Sequence, residues 1–139
     1  MSKVESSEVF TVDASLNWAW DFFKDLSNIG QCIPGCEEVR SVQPRKALFK
    51  IKLKVGYISK TITMDVSVTD SKPPQQLVFK GASDDARIVG RLDLVENGSA
   101  TQLRYSLSIE ATSALARTAI TFMGKDFVRT QTQLFAECV

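Results

Sequence analysis

The 139-residue sequence is 44% hydrophobic and 24% charged, as in an ordinary globular domain, and roughly 68–70% of the unfolded surface can be buried at this length. Seventeen Lys and Arg against sixteen Asp and Glu leave a net charge of +1, so no pull toward nucleic acid or an anionic surface is expected. The complete absence of histidine removes the usual general base near neutral pH, the Ser–His and Cys–His nucleophile pairs and the commonest metal ligand.

No internal repeat, low-complexity tract or linker interrupts the chain, so residues 1–139 read as a single domain. The first eight residues hold no apolar core of a secretory signal, and no apolar run nears the roughly 20 residues of a membrane span. A cytoplasmic protein is the expectation. Glu8 to Val12 is a short apolar alternation and predicts the first strand. Asp13 and Ser15 supply N-cap chemistry for a helix from Leu16 to Leu26. Its apolar positions Trp18, Ala19, Phe22, Phe23 and Leu26 recur at helical spacing, while Asp21, Lys24 and Asp25 face water. Trp18 and Phe22, at i and i+4, share a face with Leu26 and are expected to pack under the sheet. Trp20 falls on another face and is expected to be exposed. Ser27-Asn28-Ile29-Gly30 stops the helix, and a second short helical turn leads into Cys32-Ile33-Pro34-Gly35-Cys36, where Pro34-Gly35 predicts a tight turn.

The period then changes to two. Phe49, Ile51, Leu53 and Val55 alternate with Lys50, Lys52 and Lys54, as in a half-buried strand. After a turn at Gly56-Tyr57, the series Ile58, Ile62, Met64, Val66 and Val68 repeats the pattern. Lys50, Lys52, Lys54 and Lys60 form a basic stripe on the outer face of this hairpin, read as solvated and as protection against sheet-to-sheet aggregation. Asp70-Ser71-Lys72-Pro73-Pro74 is a turn. Leu77 to Gly81 and Ile88 to Val95 are the next strands, separated by Asp84-Asp85, which the turn-like setting predicts to be exposed. With Arg87, and with Arg91 and Asp93, these acids form charge pairs; two carboxylates serve acid/base chemistry only when burial separates their pKa values. Glu96-Asn97-Gly98-Ser99 is the strongest hairpin signal, and Leu103, Tyr105, Leu107 and Ile109 alternate after it.

Past Ser113 the period returns to 3.6. Leu115, Ala116, Ala119, Ile120, Met123, Phe127, Val128, Leu134 and Phe135 form an apolar stripe. A helix of about 22 residues is about 33 Å long, as is a strand of nine or ten, so this helix can cover the width of the sheet. One strand, two short helices, six hairpin-linked strands and a long C-terminal helix make an α+β fold. A twisted sheet curled around one helix leaves space between them, and that space is the candidate site. Its predicted walls are Phe49, Met64, Phe79, Tyr105, Ile120, Met123, Gly124, Phe127 and Gln131. Gly124 removes volume from the covering face at a cost of about 1 kcal/mol. Gln131 and Tyr105 are the candidate polar groups that an apolar pocket uses to orient a ligand. The competing reading is an ordinary solid core.

Cys32 and Cys36, at C-x₃-C, lack the C-x₂-C spacing of a zinc knuckle, and Cys138 alone cannot complete a metal site. An odd count of three outside a secretory context predicts free, structural thiols, with a disulfide or a redox role as the alternative. No metal and no cofactor is expected.

Four features carry a resemblance across nearly the whole chain. They are Phe10-Thr11-Val12 before Trp18-Ala19-Trp20-Asp21-Phe22-Phe23; the segment Cys32-Ile33-Pro34-Gly35-Cys36-Glu37; Lys54-Val55-Gly56 ending a strand before a long hairpin; and Gly81 and Gly90 on successive strands. On these residues the sequence resembles the CoxG family of carbon monoxide dehydrogenase subunits, within the START-like (SRPBCC), pollen-allergen-like helix-grip superfamily. The resemblance implies a helix-grip fold: seven antiparallel strands around the C-terminal helix, enclosing a cavity for a hydrophobic, lipid- or quinone-like molecule. It also implies an accessory role beside a molybdenum hydroxylase such as carbon monoxide dehydrogenase. Some members recruit to membranes through an apolar tail, and this sequence stops at Val139, so peripheral membrane contact is expected to lack that anchor. A cyclase or hydrolase, as occurs elsewhere on the fold, is the weaker expectation without histidine; the protein is read as a non-enzyme.

Overall fold

A computed structural model describes residues 3–33, 35–43, 45–55 and 58–138, without the side chains of 53–55, 58, 119, 122–128, 131 and 136. In chain order the elements are β1 (Lys3–Val12), α1 (Leu16–Phe23), α2 (Leu26–Cys32), β2 (Cys36–Gln43), β3 (Lys46–Val55), β4 (Ile58–Lys72), β5 (Gln76–Ala82), β6 (Ala86–Asn97), β7 (Ala100–Ala111) and α3 (Ala114–Cys138). The seven strands form one antiparallel sheet in the order β1-β7-β6-β5-β4-β3-β2. Strands β2 to β7 are a run of hairpins, and β1 closes against β7. The two short helices therefore carry the chain from one edge of the sheet to the other.

Burial follows the alternation read from the sequence. In β6, Ile88, Gly90, Leu92 and Leu94 are buried while Arg87, Val89, Arg91 and Val95 face water, the pattern of a sheet with one covered face. Gly98 sits at φ +64° in the two-residue link from Asn97 to Ala100, the left-handed conformation this turn demands. Register shifts at Cys36/Glu38 and Ser41/Gln43 in β2 and at Val68/Asp70 in β4 bend the sheet into its curl. On the concave side α2 packs on β2 and β3, α1 on β6 and β7, and α3 on β1 and β7.

The first helical segment differs from the expected one. It breaks after Phe23, and Ser27-Asn28-Ile29-Gly30 lies inside α2 instead of stopping α1. The Asp25 carboxylate accepts the Ser27 N–H at 2.9 Å, and the Asn28 amide donates to the Phe22 carbonyl at 2.9 Å. Two capped short helices thus replace one long one. Leu26 no longer shares a face with Trp18, so the two tryptophans exchange roles. Trp20 is buried with Ala19 and Phe23, while Trp18 is 51% exposed and stacks on Phe22.

The cysteine reading is also corrected. Cys32 and Cys138 form a disulfide with Cα atoms 5.4 Å apart, inside the range such bonds require. The last turn of α3 returns to α2, which no spacing along the sequence could show. Cys36 keeps a free thiol. Ahead of it the chain turns with Gly35 at φ +83° and the Cys36 N–H donating to the Ile33 carbonyl.

Asp85 overturns two further expectations. It is only 6% exposed. Lys60 reaches it at 2.7 Å, so that lysine is not simply part of a solvated stripe, and the Ser113 hydroxyl donates to it at 2.8 Å. Ser113 in turn accepts the Ala116 N–H, so Asp85 ties β4, the β5–β6 turn and the start of α3 together. Lys50 and Lys52 do face water, but on an interior strand, since the edges are β1 and β2. The Arg91 guanidinium pairs with Asp93 at 3.0 Å.

The hydrogen bond from Lys60, followed by that from Ser113, holds the Asp85 carboxyl below its ordinary pKa of 3.8. A depressed carboxyl stabilises the fold above its unfolded pKa, and this contribution is lost as pH falls through the folded value. Asp85→Asn should therefore be less stable than the parent at pH 7, with the difference closing below pH 3.8. Urea unfolding at pH 7 and in strong acid checks this; a gap that stays constant with pH would contradict it.

Candidate functional site

The concave face is built from the inward positions of six strands. Ala47, Val66, Gly81, Ile88, Ile109 and Val4 form one row across the sheet by register, and Val68, Phe79, Gly90, Leu107 and Ser6 form the next. Of the predicted wall residues, Phe49, Met64, Phe79 and Tyr105 all lie on this face and are buried. They do not gather at one spot. Phe49 lies beneath α2, its ring 3.2 Å from where a Cβ on Gly30 would stand. Met64 and Phe79 fill space left by two glycines. A Cβ on Gly81 would come within 2.7 Å of the Met64 sulfur, and one on Gly90 would collide with the Phe79 ring. At both positions an added Cβ would have to displace close-packed neighbours.

Tyr105 sits at the other end, under α3. Its ring stacks on Phe135 with centroids 4.1 Å apart, and Phe135 reaches Phe23 at 6.3 Å. Burial alone raises the Tyr105 pKa far above its ordinary 10.0, because a phenolate would be stripped of water. The hydroxyl stays protonated and can act as a donor but not as a base near neutral pH. Ile120 is half-buried on α3. The side chains of Met123, Gly124, Phe127 and Gln131 lie outside the described residues.

The sequence reading missed the contribution of β1. This strand begins at Lys3, five residues before the predicted start, and its even positions point inward. Ser6 and Glu8 are half-buried, Glu8 is paired in register with Tyr105, and Ser6 Oγ lies 3.3 Å from Thr132 Oγ1 on α3. A polar seam thus runs where α3 meets the first strand. The alternation of Val4, Ser6, Glu8 and Phe10 was the available signal, obscured by the two serines and two glutamates among those positions and their neighbours.

Several apolar side chains on the concave face are not fully covered. Val4, Phe10, Val68 and Ile109 are half-buried against the core. Partly accessible apolar surface beside a short polar seam suits an apolar molecule with one polar end, since each Å² removed from water is worth about 25 cal/mol. Among the described residues no group of His, Cys, Asp and Glu is placed to hold a metal ion, and no helix is long and apolar enough to cross a membrane.

Comparison with known proteins follows the same lines. A conserved protein from Geobacillus kaustophilus superposes with a TM-score of 0.76 at 21% identity, over 96% of this chain and 91% of that one. A START superfamily protein from Mycobacterium smegmatis gives 0.62 at 16% identity, over 94% and 98%. The Zhui aromatase/cyclase from Streptomyces sp. R1128 gives 0.62 at 13%, over 98% and 93%. At these identities the likeness is one of fold. No curated protein matches the chain in sequence. Residues 9–139 match the CoxG family of carbon monoxide dehydrogenase subunits.

Proposed function

The chain belongs to the CoxG family of carbon monoxide dehydrogenase subunits, and from that premise we propose that it is a non-catalytic binding module for an apolar or amphipathic small molecule, lipid- or quinone-like, held between the sheet and α3. The observation that carries this reading is the half-buried apolar surface of Val4, Phe10, Val68 and Ile109 on the concave face. Such surface inside a curled sheet stays partly uncovered unless something occupies it. Thr132 donates its hydroxyl to the Arg129 carbonyl at 2.8 Å, so Ser6 donates to Thr132 and keeps its oxygen as an acceptor, while the Tyr105 phenol is a donor, for one polar end of the guest. Burial supplies the binding energy, and no covalent step is needed.

Native mass spectrometry of the purified protein, with palmitate and a short-chain ubiquinone as added probes, tests the idea. A bound apolar species, or a melting-temperature rise on the order of 5–10 °C near a hundredfold excess over Kd, is expected. Ile109→Trp, which adds bulk next to Val4 on the same row of the concave face, should abolish both. If the protein retains nothing and neither probe moves its melting temperature, the reading fails.

Membership of this family supports a second, compatible reading, in which the loaded or empty module acts as an accessory of a carbon monoxide dehydrogenase or related molybdenum hydroxylase. Affinity capture from cells making such an enzyme should recover the enzyme's polypeptides, and repeated failure to do so would remove this role.

A further inference from the structure

The Cys32–Cys138 bond is asymmetric in its surroundings. Cys32 is 6% exposed in the final turn of α2, whereas Cys138 is exposed in the final turn of α3. Just upstream of Cys138, Phe135 is 1% exposed and stacks on Tyr105, and a turn earlier Thr132 is buried beside Ser6. The final turns of α3 are therefore the cover over the Tyr105 end of the concave face. Leu134 and Glu137 between these contacts face water. Helix ends fray because their last carbonyls lack intrahelical partners. Here the fraying end carries a covalent tie to α2, a helix seated on the opposite edge of the sheet.

We propose that this bond is a redox latch: when closed it pins the last turns of α3 over Tyr105, and when opened by a thiol reductant it lets Phe135 lift and uncovers that end of the interior. The exposed sulfur is the one a reductant can reach. A thiolate of the reductant attacks Cys138 Sγ, and the disulfide breaks with its electron pair going to Cys32 Sγ, which takes up a proton. A second thiolate then releases Cys138 from the mixed disulfide. The protein pair gains two electrons, and the reductant leaves as its own disulfide. Cys36 takes no part. It is half-buried, donates to the Glu38 carbonyl, and burial holds its pKa above the ordinary thiol value, which keeps it protonated and a poor nucleophile. The latch does not depend on the ligand-binding reading; only the consequence for ligand entry rests on it.

Hydrogen exchange read by mass spectrometry separates the two. In a Cys36→Ser background, which excludes disulfide reshuffling, the oxidised protein is compared with the same protein in dithiothreitol and with Cys138→Ser. At labelling times too short for global unfolding to reach β5 and β6, reduction should speed exchange in residues 129–138 roughly tenfold or more while peptides from those strands stay protected, reoxidation should reverse it, and Cys138→Ser should match the reduced pattern. No change in residues 129–138, or an equal rise throughout the sheet, would overturn the latch. In the same samples the apolar probe 8-anilinonaphthalene-1-sulfonate should enter several-fold faster after reduction. Release of the helix without faster entry would leave the latch standing and remove its role in access.

Discussion

Phe79→Ala should destabilise the fold by about 3–5 kcal/mol, the usual cost of emptying a large buried aromatic site. Phe79 is fully buried at the centre of the sheet, and its ring lies over Gly90 on the neighbouring strand, where any Cβ would collide with it. The ring and the missing side chain are two halves of one packing solution. Gly90→Ala alone should cost about 1–3 kcal/mol, because the added methyl must displace the ring in a close-packed interior. In the Phe79→Ala background the same methyl enters vacated space, so the double variant should be distinctly more stable than the sum of the single effects predicts. Urea midpoints of the four proteins give the coupling directly. Additivity within about 0.5 kcal/mol would mean that the two sites do not share that volume.

Loss of the Cys32–Cys138 bond should be comparably large. It closes a loop across a sequence separation of 106, and the chain-entropy account assigns such a cross-link about 4–5 kcal/mol, acting mainly on the unfolded chain. For a domain of this size that corresponds to a melting temperature lower by roughly 10–15 °C. Cys138→Ser is the cleaner variant, because Cys138 is exposed and its replacement leaves the core around Cys32 intact. Scanning calorimetry of the parent in the presence and absence of dithiothreitol should give the same difference. A midpoint that neither treatment moves would show that the bond does not stabilise the purified protein.

How far the sequence could be read depended on whether a residue's environment is set locally. The β3–β4 hairpin was legible because Phe49 and Ile51 face the core while Lys50 and Lys52 face water, a contrast that only a two-residue period produces. The edge strand β2 was hard to see, since only Cys36 and Val39 in it are even half-buried and its register shifts twice. The break between α1 and α2 turned on Asp25 acting as a cap, and a carboxylate there reads equally well as a solvated helix position. Asp85 looked like a turn residue because the groups that bury it, Lys60 and Ser113, come from other elements. The same holds for the disulfide. Four of the predicted wall residues lie on the concave face, but alternation gives a face and not a location, so Phe49 under α2 and Tyr105 under α3 could not be told apart.

The pairing of the first strand with the last has a consequence during synthesis. Ser7 and Ser106 touch across β1 and β7 although 99 positions separate them. The hairpins from β2 to β7 can zip up one after another as the chain emerges, whereas β1, made first, has no partner until the last strand exists. Such long-range closure is entropically costly and slow. Through that interval β1 is an unpaired edge able to join another chain. Its alternating Glu5, Ser7 and Thr11 on one face and Ser6 and Glu8 on the other make it a poor template for such pairing. The polarity that lines the seam beside α3 thus also serves the nascent chain, keeping its opening segment in solution until β7 is complete.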